Sequence, residues 1–318
     1  MAMQSGQQLV QVVSYDPSWP QAFALEAERI KKAMGDNCLE VHHIGSTSVP
    51  DLAAKPVIDM MPVVADIGQV DEANARMQAL GYAINGEYGI PFRRYFHKGG
   101  SQRTHHIHAF EAGHVDIERH LKFRDWMRIH AEDRETYARL KQDLARQYPK
   151  DIMAYCLGKE RFIAAIDKKA GFNGLRVVKA LTPREWEAVR HFRQFYFFCK
   201  AGLIDPYTWT FEHLDHVHFV LFQGSDIIGY AHLQLWPEAR AALRIIVIDE
   251  AKRNQRCGSQ LLALCEKWLK QQGYQSLHLE SSPEALRFYR QHDYLDMPFD
   301  DPHGYDGCAQ DIAVGKKL

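Results

Sequence analysis

Apolar and polar positions alternate along this chain in two periods, and the switches between them mark its elements. In PSWPQAFALEAERIKKAMG the apolar residues recur every three or four positions, which predicts an amphipathic helix ending near Gly35. CLEVHHIG reads as a strand and KPVIDMMPVVA as a second, buried strand. GQVDEANARMQALGY reads as a helix stopped by Gly81, and RTHHIHAFEA as a third strand. From ERHLKFRDWMRIHAEDRETYARLKQDLARQY to KERFIAAIDKKA the period is helical almost throughout.

That pattern breaks at DKKAGFNGLRV, residues 167–177, where lysines, two glycines and an asparagine precede a new apolar run. We therefore expect two domains, residues 1–170 and 171–318. Beyond the break, LRVVKAL is a strand. TPREW opens a helix, with Thr182 as N-cap, Pro183 at the first position and Glu185 at the third, a capping-box arrangement. HVHFVLFQGSDIIGYAHLQLW predicts a hairpin turning near Gly224 to Asp226. AALRIIVID is a strand, RNQRCGSQLLALCEKWLKQQGY a basic loop running into a helix, QSLHLESS a strand, PEALRFYRQHD a short helix and CAQDIAVGK a last strand. Helices and strands mixed in both halves make the fold class α/β (α+β).

A chain of 318 residues is long enough for two cores. With 46% hydrophobic and 25% charged residues and a formal net charge of -1, it has no bulk attraction for nucleic acid or an anionic membrane. No apolar run reaches the roughly 20 residues needed to cross a bilayer, and MAMQSGQQLV lacks the layout of a signal peptide, so a cytoplasmic location is expected. The six cysteines form no CxxC pair, and reduced, mostly packed thiols are expected. The 17 histidines concentrate in THHIH (104–108) and EHLDHVH (212–218). The second cluster lacks metal-ligand spacing and is expected on the surface or lining an acceptor site.

In the basic loop, Arg253 and Arg256 stand before a helix whose Leu261, Leu262, Leu264, Cys265, Trp268 and Leu269 form one apolar face. A helix amino terminus carries unpaired N–H groups and partial positive charge, so this loop predicts an anion site, with Gly258 allowing close backbone approach. The order strand, basic loop, helix, strand, then SSPEALRFYRQHDYLDM resembles the GNAT family of acyl-CoA-dependent N-acetyltransferases over roughly residues 175–318. Arg253, Arg256 and Gly258 stand at the positions of that family's R/Q-x-x-G-x-G/A loop, and ALRFYRQHDY at its A-x-x-F-Y stretch. The chain departs from the pattern twice, with Arg256 and Asp293 where the family has glycine.

The resemblance implies a mostly antiparallel, splayed sheet flanked by helices, with acetyl-CoA as cofactor. It implies that backbone groups of Ile246 and Ile248 pair with the pantetheine arm, and that Arg253, Asn254, Gln255, Arg256, Cys257, Gly258 and Ser259 take the pyrophosphate. It makes Tyr289 the general acid that protonates the departing thiolate; packing against Leu286 is its other reading. The general base stays open among His232, which shares a strand face with Tyr230, Gln234 and Trp236, and Glu212 and Glu280.

In the first half, VHHIGSTSVPDLAAKPVIDMMPVV sets a Gly-Ser turn after one strand and Asp59 inside the next. Gly45 and Ser46 offer donors to a phosphate, and a strand carboxylate can hold a divalent metal. With GIPFRRYF, HHIHAF, HLKFRDWMRIH and ARLKQDLA, this half resembles the GrpB family, which implies a nucleotidyltransferase-like mixed sheet with helices over about residues 8–168. Active nucleotidyltransferases carry D-x-D where this chain reads Asp59, Met60, Met61. His106 and His108, at period two, could join Asp59 around one divalent metal, while Lys55, Arg93, Arg94 and Arg124 could line a phosphate pocket or be surface charge.

Three functions are carried forward. The first is acetyl transfer to the amine of a small molecule or protein, with the first half binding a nucleotide or that acceptor. The second adds metal-dependent nucleotidyl transfer by the first half. The third is a non-catalytic ligand sensor. The acceptor and the oligomeric state have no readable code in the chain.

Overall fold

The buried stripe of α1 (Trp19–Met34) joins Trp19, Ala27, Ile30 and Met34, so this helix lies along a sheet as its spacing predicts. The computed structural model describes residues 9–199, 202–302, 304 and 309–318, and divides between Arg176 and Val177 into two compact units. The first contains β1 (Cys38–Ile44), β2 (Ile58–Val64), α2 (Asn74–Ala79), β3 (Tyr82–Ile84), β4 (Arg93–Lys98) and β5 (His105–Glu111). Its five-stranded sheet has the order β1-β2-β5-β4-β3, with β2 and β5 parallel and the other pairs antiparallel.

Strand alternation gives this sheet two different faces. Ile58, Met60 and Val64 of β2 and Ile107 and Ala109 of β5 pack toward α1. Met61 and Phe110 belong to a separate apolar cluster with Ile117 and Leu121, so Asp59, His106 and His108 share the opposite face with them. That face meets α3 (Val115–Ile129), α4 (Ala131–Gln147), α5 (Ile152–Leu157) and α6 (Glu160–Lys169), whose apolar positions join Val49 and Leu52.

The structure differs from expectation in two places. Residues 68–80 form a 3-10 turn (Gly68–Ala73) before the short α2, because Val70 and Ala73 turn inward within the turn itself. The strands β3 and β4 lie where no strand is legible: β3 is a three-residue edge strand, and RRYFHK of β4 is too charged for apolar alternation to stand out.

The second unit comprises β6 (Leu175–Lys179), α7 (Pro183–Arg193), β7 (His216–Gln223), β8 (Asp226–Trp236), β9 (Arg240–Ile248), α8 (Cys257–Gln271), β10 (Ser276–Ser281), α9 (Pro283–Arg290), β11 (Leu295–Asp296) and β12 (Ile312–Lys317). The capping box at Thr182 and Glu185 forms in full. The seven strands run β11-β12-β10-β9-β8-β7-β6. α7 packs on Val220, Phe222, Tyr230 and Val247, while α8 covers the other face through Trp268 against Phe219, with rings 5.2 Å apart.

The central pair β9 and β10 is parallel. β9 and β10 pair only over Arg240–Ala242 and Ser276–His278, although β9 continues to Ile248 and β10 to Ser281. Beyond that point the strands part, leaving one edge of β9 without a ladder partner. No helix among the described residues is long and apolar enough to cross a membrane. Of the described cysteines, Cys38, Cys257 and Cys265 are buried, Cys156 and Cys199 are exposed, and all are free.

Candidate functional site

In the first unit the parallel register sets Asp59 directly beside His106, and His106 Nδ1 lies 3.1 Å from Asp59 Oδ1. Two residues on, His108 falls on the same face, and the three side chains offer ligand atoms within 4.8 Å of one another. His108 Nδ1 accepts from the Arg93 guanidinium at 3.2 Å, so a neutral His108 keeps its proton on Nε2 and would ligate a metal only with its ring turned over. Burial pushes Asp59 upward, but the His106 hydrogen bond and the charges of His106, His108 and Lys55 outweigh it and bring the carboxyl to about 2.

Gly45 closes the near side of this group at φ 68 and ψ -172, a conformation almost confined to glycine. A methyl group there would meet Asp59 Oδ2 at 2.3 Å, so the absent side chain makes room for the carboxylate. Gly45, Ser46, Lys55, Asp59, His106 and His108 all line one cavity of about 310 Å³, which the helical layer closes with Tyr137, Lys141, Tyr155 and Lys159.

Arg93 and Arg94 do not join them. Arg93 is buried and donates to the Glu87 and Tyr88 carbonyls, and alternation along β4 turns Arg94 away to a bidentate pair with Asp71 at 2.8 Å. Arg124 is occupied as well, donating to Asp125 and to the His43 carbonyl. The cations that do line the cavity beside Lys55 include Lys141 and Lys159, which sequence reasoning missed. The signal was present in Lys141, which follows Tyr137 by four positions and precedes Leu144 by three, and so stands on the buried stripe of α4.

In the second unit Arg256 precedes α8 at φ 62 and caps nothing with its side chain. The first intrahelical bond runs from Gln260 N to Arg256 O, and no protein acceptor meets the N–H groups of Cys257, Gly258 and Ser259 among the described residues. These amides lie just beyond the end of β9, whose free edge includes Ile246 and Ile248. Arg253 is partly engaged: its Nε donates to Ile248 O at 3.1 Å, and its guanidinium lies over the Tyr196 ring.

Both departures from the glycine pattern occupy left-handed backbone, Arg256 at φ 62 and Asp293 at φ 66. Aspartate tolerates that region better than arginine does. Tyr289 is 7% exposed, and burial pushes its hydroxyl up to about 12.

His232 does not face an open cleft. Arg193 NH1 donates to its Nδ1 at 3.2 Å, and its Nε2 lies 2.7 Å from His216 Nδ1, so its lone pair and its proton are both used inside the protein. The same buried network holds Asp205 against Arg193 and sets His218 Nδ1 2.7 Å from the Tyr230 hydroxyl. His216 and His218 are therefore interior groups rather than surface ones. Glu280 is exposed on β10, the strand that parts from β9, and Glu212 is exposed before β7.

Two units, a mixed sheet carrying a carboxylate–imidazole cavity and a splayed sheet opening onto an uncapped helix, define a two-domain α/β protein. Residues 9–169 match the family model described as GrpB protein, and residues 184–294 match the Acetyltransferase (GNAT) family. The chain belongs to the GrpB family and carries a GNAT domain behind that region. The UPF0157 protein YqkA of Bacillus subtilis is 45% identical over 161 residues, covering 51% of this chain; the chain spans 47% of that relative's length. The crystal structure of conserved protein GrpB from Enterococcus faecalis is 42% identical with a TM-score of 0.49, covering 50% of this chain and 96% of that one. An acetyltransferase of the GNAT family from Staphylococcus aureus Mu50 is 16% identical with a TM-score of 0.38, covering 46% of this chain and 99% of that one.

Proposed function

We propose that the second unit transfers an acetyl group directly from acetyl-CoA to an amine of a small molecule or protein. The observation that carries this reading is the meeting of two backbone surfaces: the edge of β9 that has no ladder partner, where only the Ile248 carbonyl is taken by the Arg253 side chain, and the N–H groups of residues 257–259 at the start of α8. The first suits the amide-bearing pantetheine arm, and the second suits a pyrophosphate. The amine nitrogen attacks the acetyl carbon, the C–S bond breaks, and Tyr289 gives its proton to the departing sulfur while the amine loses one to a base. Burial keeps the phenol protonated until charge develops on sulfur, and the same burial raises the proton affinity of a thiolate, so transfer runs between two comparably desolvated groups. With His232 enclosed, the exposed Glu280 and Glu212 remain the candidates for that base.

The first unit serves in this reading as a binding module for a nucleotide or for the acceptor, with Asp59, His106 and His108 holding a divalent metal once His108 has turned. Catalytic nucleotidyl transfer is disfavoured by one observation. The second position of D-x-D is Met61, which is fully buried against Ile44 and Phe110, so Asp59 lacks the paired strand carboxylate that would hold the metals that reaction uses.

Gly258 gives the sharpest test. A methyl group there would meet Phe288 at 3.7 Å and Ile248 at 3.8 Å, ordinary contacts, so Gly258→Ala should leave the free protein intact and stabilise it through helix propensity by up to about 1 kcal/mol, seen as a slightly higher Tm. If the backbone approaches a pyrophosphate closely, acetyl-CoA binding measured by calorimetry weakens nonetheless. Tyr289→Phe should keep that binding and lower turnover on an amine panel. Unchanged affinity in the first variant together with unchanged turnover in the second would overturn the reading.

A further inference from the structure

Lys141 is 2% exposed, and its Nζ has no hydrogen-bond partner. It sits 4.5 Å from the centre of the Tyr137 ring, which offsets only part of the cost of burying an ammonium group. Two further lysines line the same cavity from different elements: Lys55 from the segment before β2, and Lys159 from the junction of α5 and α6. Both ammonium groups lie over Tyr155, at 5.4 and 4.6 Å from the ring centre. None of the three has a carboxylate within 4.0 Å among the described residues.

The two carboxylates lining the cavity each have a cationic or imidazole neighbour, although Asp167 Oδ1 is buried without a partner. Asp59 is bound to His106, and Asp167 to Arg119 at 2.7 Å. Burial first, and the charge of Lys159 second, hold both Lys55 and Lys141 below the ordinary lysine range. Three lysines that share one cavity and have no acidic partner lack a counter-charge, which a bound polyanion would supply while favouring their ammonium form. A single carboxylate would answer one of them, whereas a phosphate carries up to two charges and three acceptor oxygens.

We propose that the cavity of the first unit binds the phosphate end of a phosphorylated small molecule through Lys55, Lys141 and Lys159, with the Gly45–Ser46 turn at its rim. The proposal deepens the binding-module reading and rests on it, but it does not need the metal. A cavity of about 310 Å³ admits a phosphorylated sugar or the polyphosphate portion of a nucleotide. Both present the same oxygens, so the test has to separate them.

Thermal shift and calorimetry on the full chain would use inorganic triphosphate, ATP, ribose 5-phosphate, adenosine and Mn²⁺ alone, with acetyl-CoA saturating so that the second unit's anion site is filled. At least one of the three phosphate-bearing probes should stabilise the wild type. Lys141→Met should weaken that probe at least tenfold, while the apo protein melts at the same or a higher temperature because a buried amine without a partner is gone. A folding role for Lys141 would lower that melting temperature instead. ATP binding without ribose 5-phosphate assigns the site to polyphosphate, and the converse to phosphorylated sugars. Equal response of the wild type and Lys141→Met, or no response to any phosphate probe, overturns the lysine site. Binding of Mn²⁺ or adenosine in that case leaves the module reading standing, and no binding of any probe removes both.

Discussion

Gly45 allows the first site to be tested through stability alone. At φ 68 and ψ -172 a side chain costs on the order of 1–3 kcal/mol in backbone strain. The added methyl of Gly45→Ala would also lie 2.3 Å from Asp59 Oδ2 and 2.9 Å from its Cβ, so the carboxylate must swing away from His106. A hydrogen bond to a charged group contributes roughly 1.5–3 kcal/mol, so the combined loss is about 3–6 kcal/mol. Urea unfolding of the full chain, followed at the transition of the first unit, measures it. The same substitution made in an Asp59→Gly background removes both the carboxylate and the Cβ contact and should cost only the backbone part, about 1–3 kcal/mol. A loss below about 1 kcal/mol in the wild type, or an equal loss in both backgrounds, would refute the close packing of turn and carboxylate on which the site is built.

Two further perturbations address the second unit. Asp205→Asn leaves Arg193, 1% exposed, without its buried counter-charge and should destabilise by about 3–5 kcal/mol in urea unfolding; a loss under about 1 kcal/mol would show that the network tolerates an unpaired guanidinium. His218 is pushed down to about 3, with burial the first cause, against an ordinary value of 6.5. Above pH 6.5 the folded and unfolded imidazoles are both neutral; below it the unfolded chain takes a proton that the folded chain refuses until about 3, so stability falls as pH drops through that window. His218→Gln should reduce the pH slope of unfolding between 6 and 4 by about one proton, or ~1.4 kcal/mol per pH unit, and an unchanged slope would mean that His218 titrates normally in the fold.

Much of this architecture was legible because it is written locally. The helix ending near Gly35, the capping box at Thr182 and the hairpin at Gly224 follow from period, caps and turns, which need only neighbouring residues, and period two puts His106 and His108 on one strand face, whereas their meeting with Asp59 depends on the pairing of β2 with β5. The strands β3 and β4 were not legible, because a short edge strand and a charged one carry little apolar alternation. Arg256 and Asp293 could be seen as departures from a glycine pattern, but only the backbone reveals that both positions are left-handed.

Charge partnership belongs to tertiary structure. Spacing along α4 places Lys141 on a buried stripe, but nothing along the chain tells that it has no partner there while Arg93 is spent on the Glu87 and Tyr88 carbonyls. His232 likewise reads as a strand histidine open to an acceptor until Arg193 and His216 are seen to occupy both of its nitrogens. Periodicity tells which face of an element a side chain takes, and the sequence by itself determined that much here. What meets the side chain on that face depends on segments tens of residues away, so only the folded chain decided which cations remain free to hold a ligand.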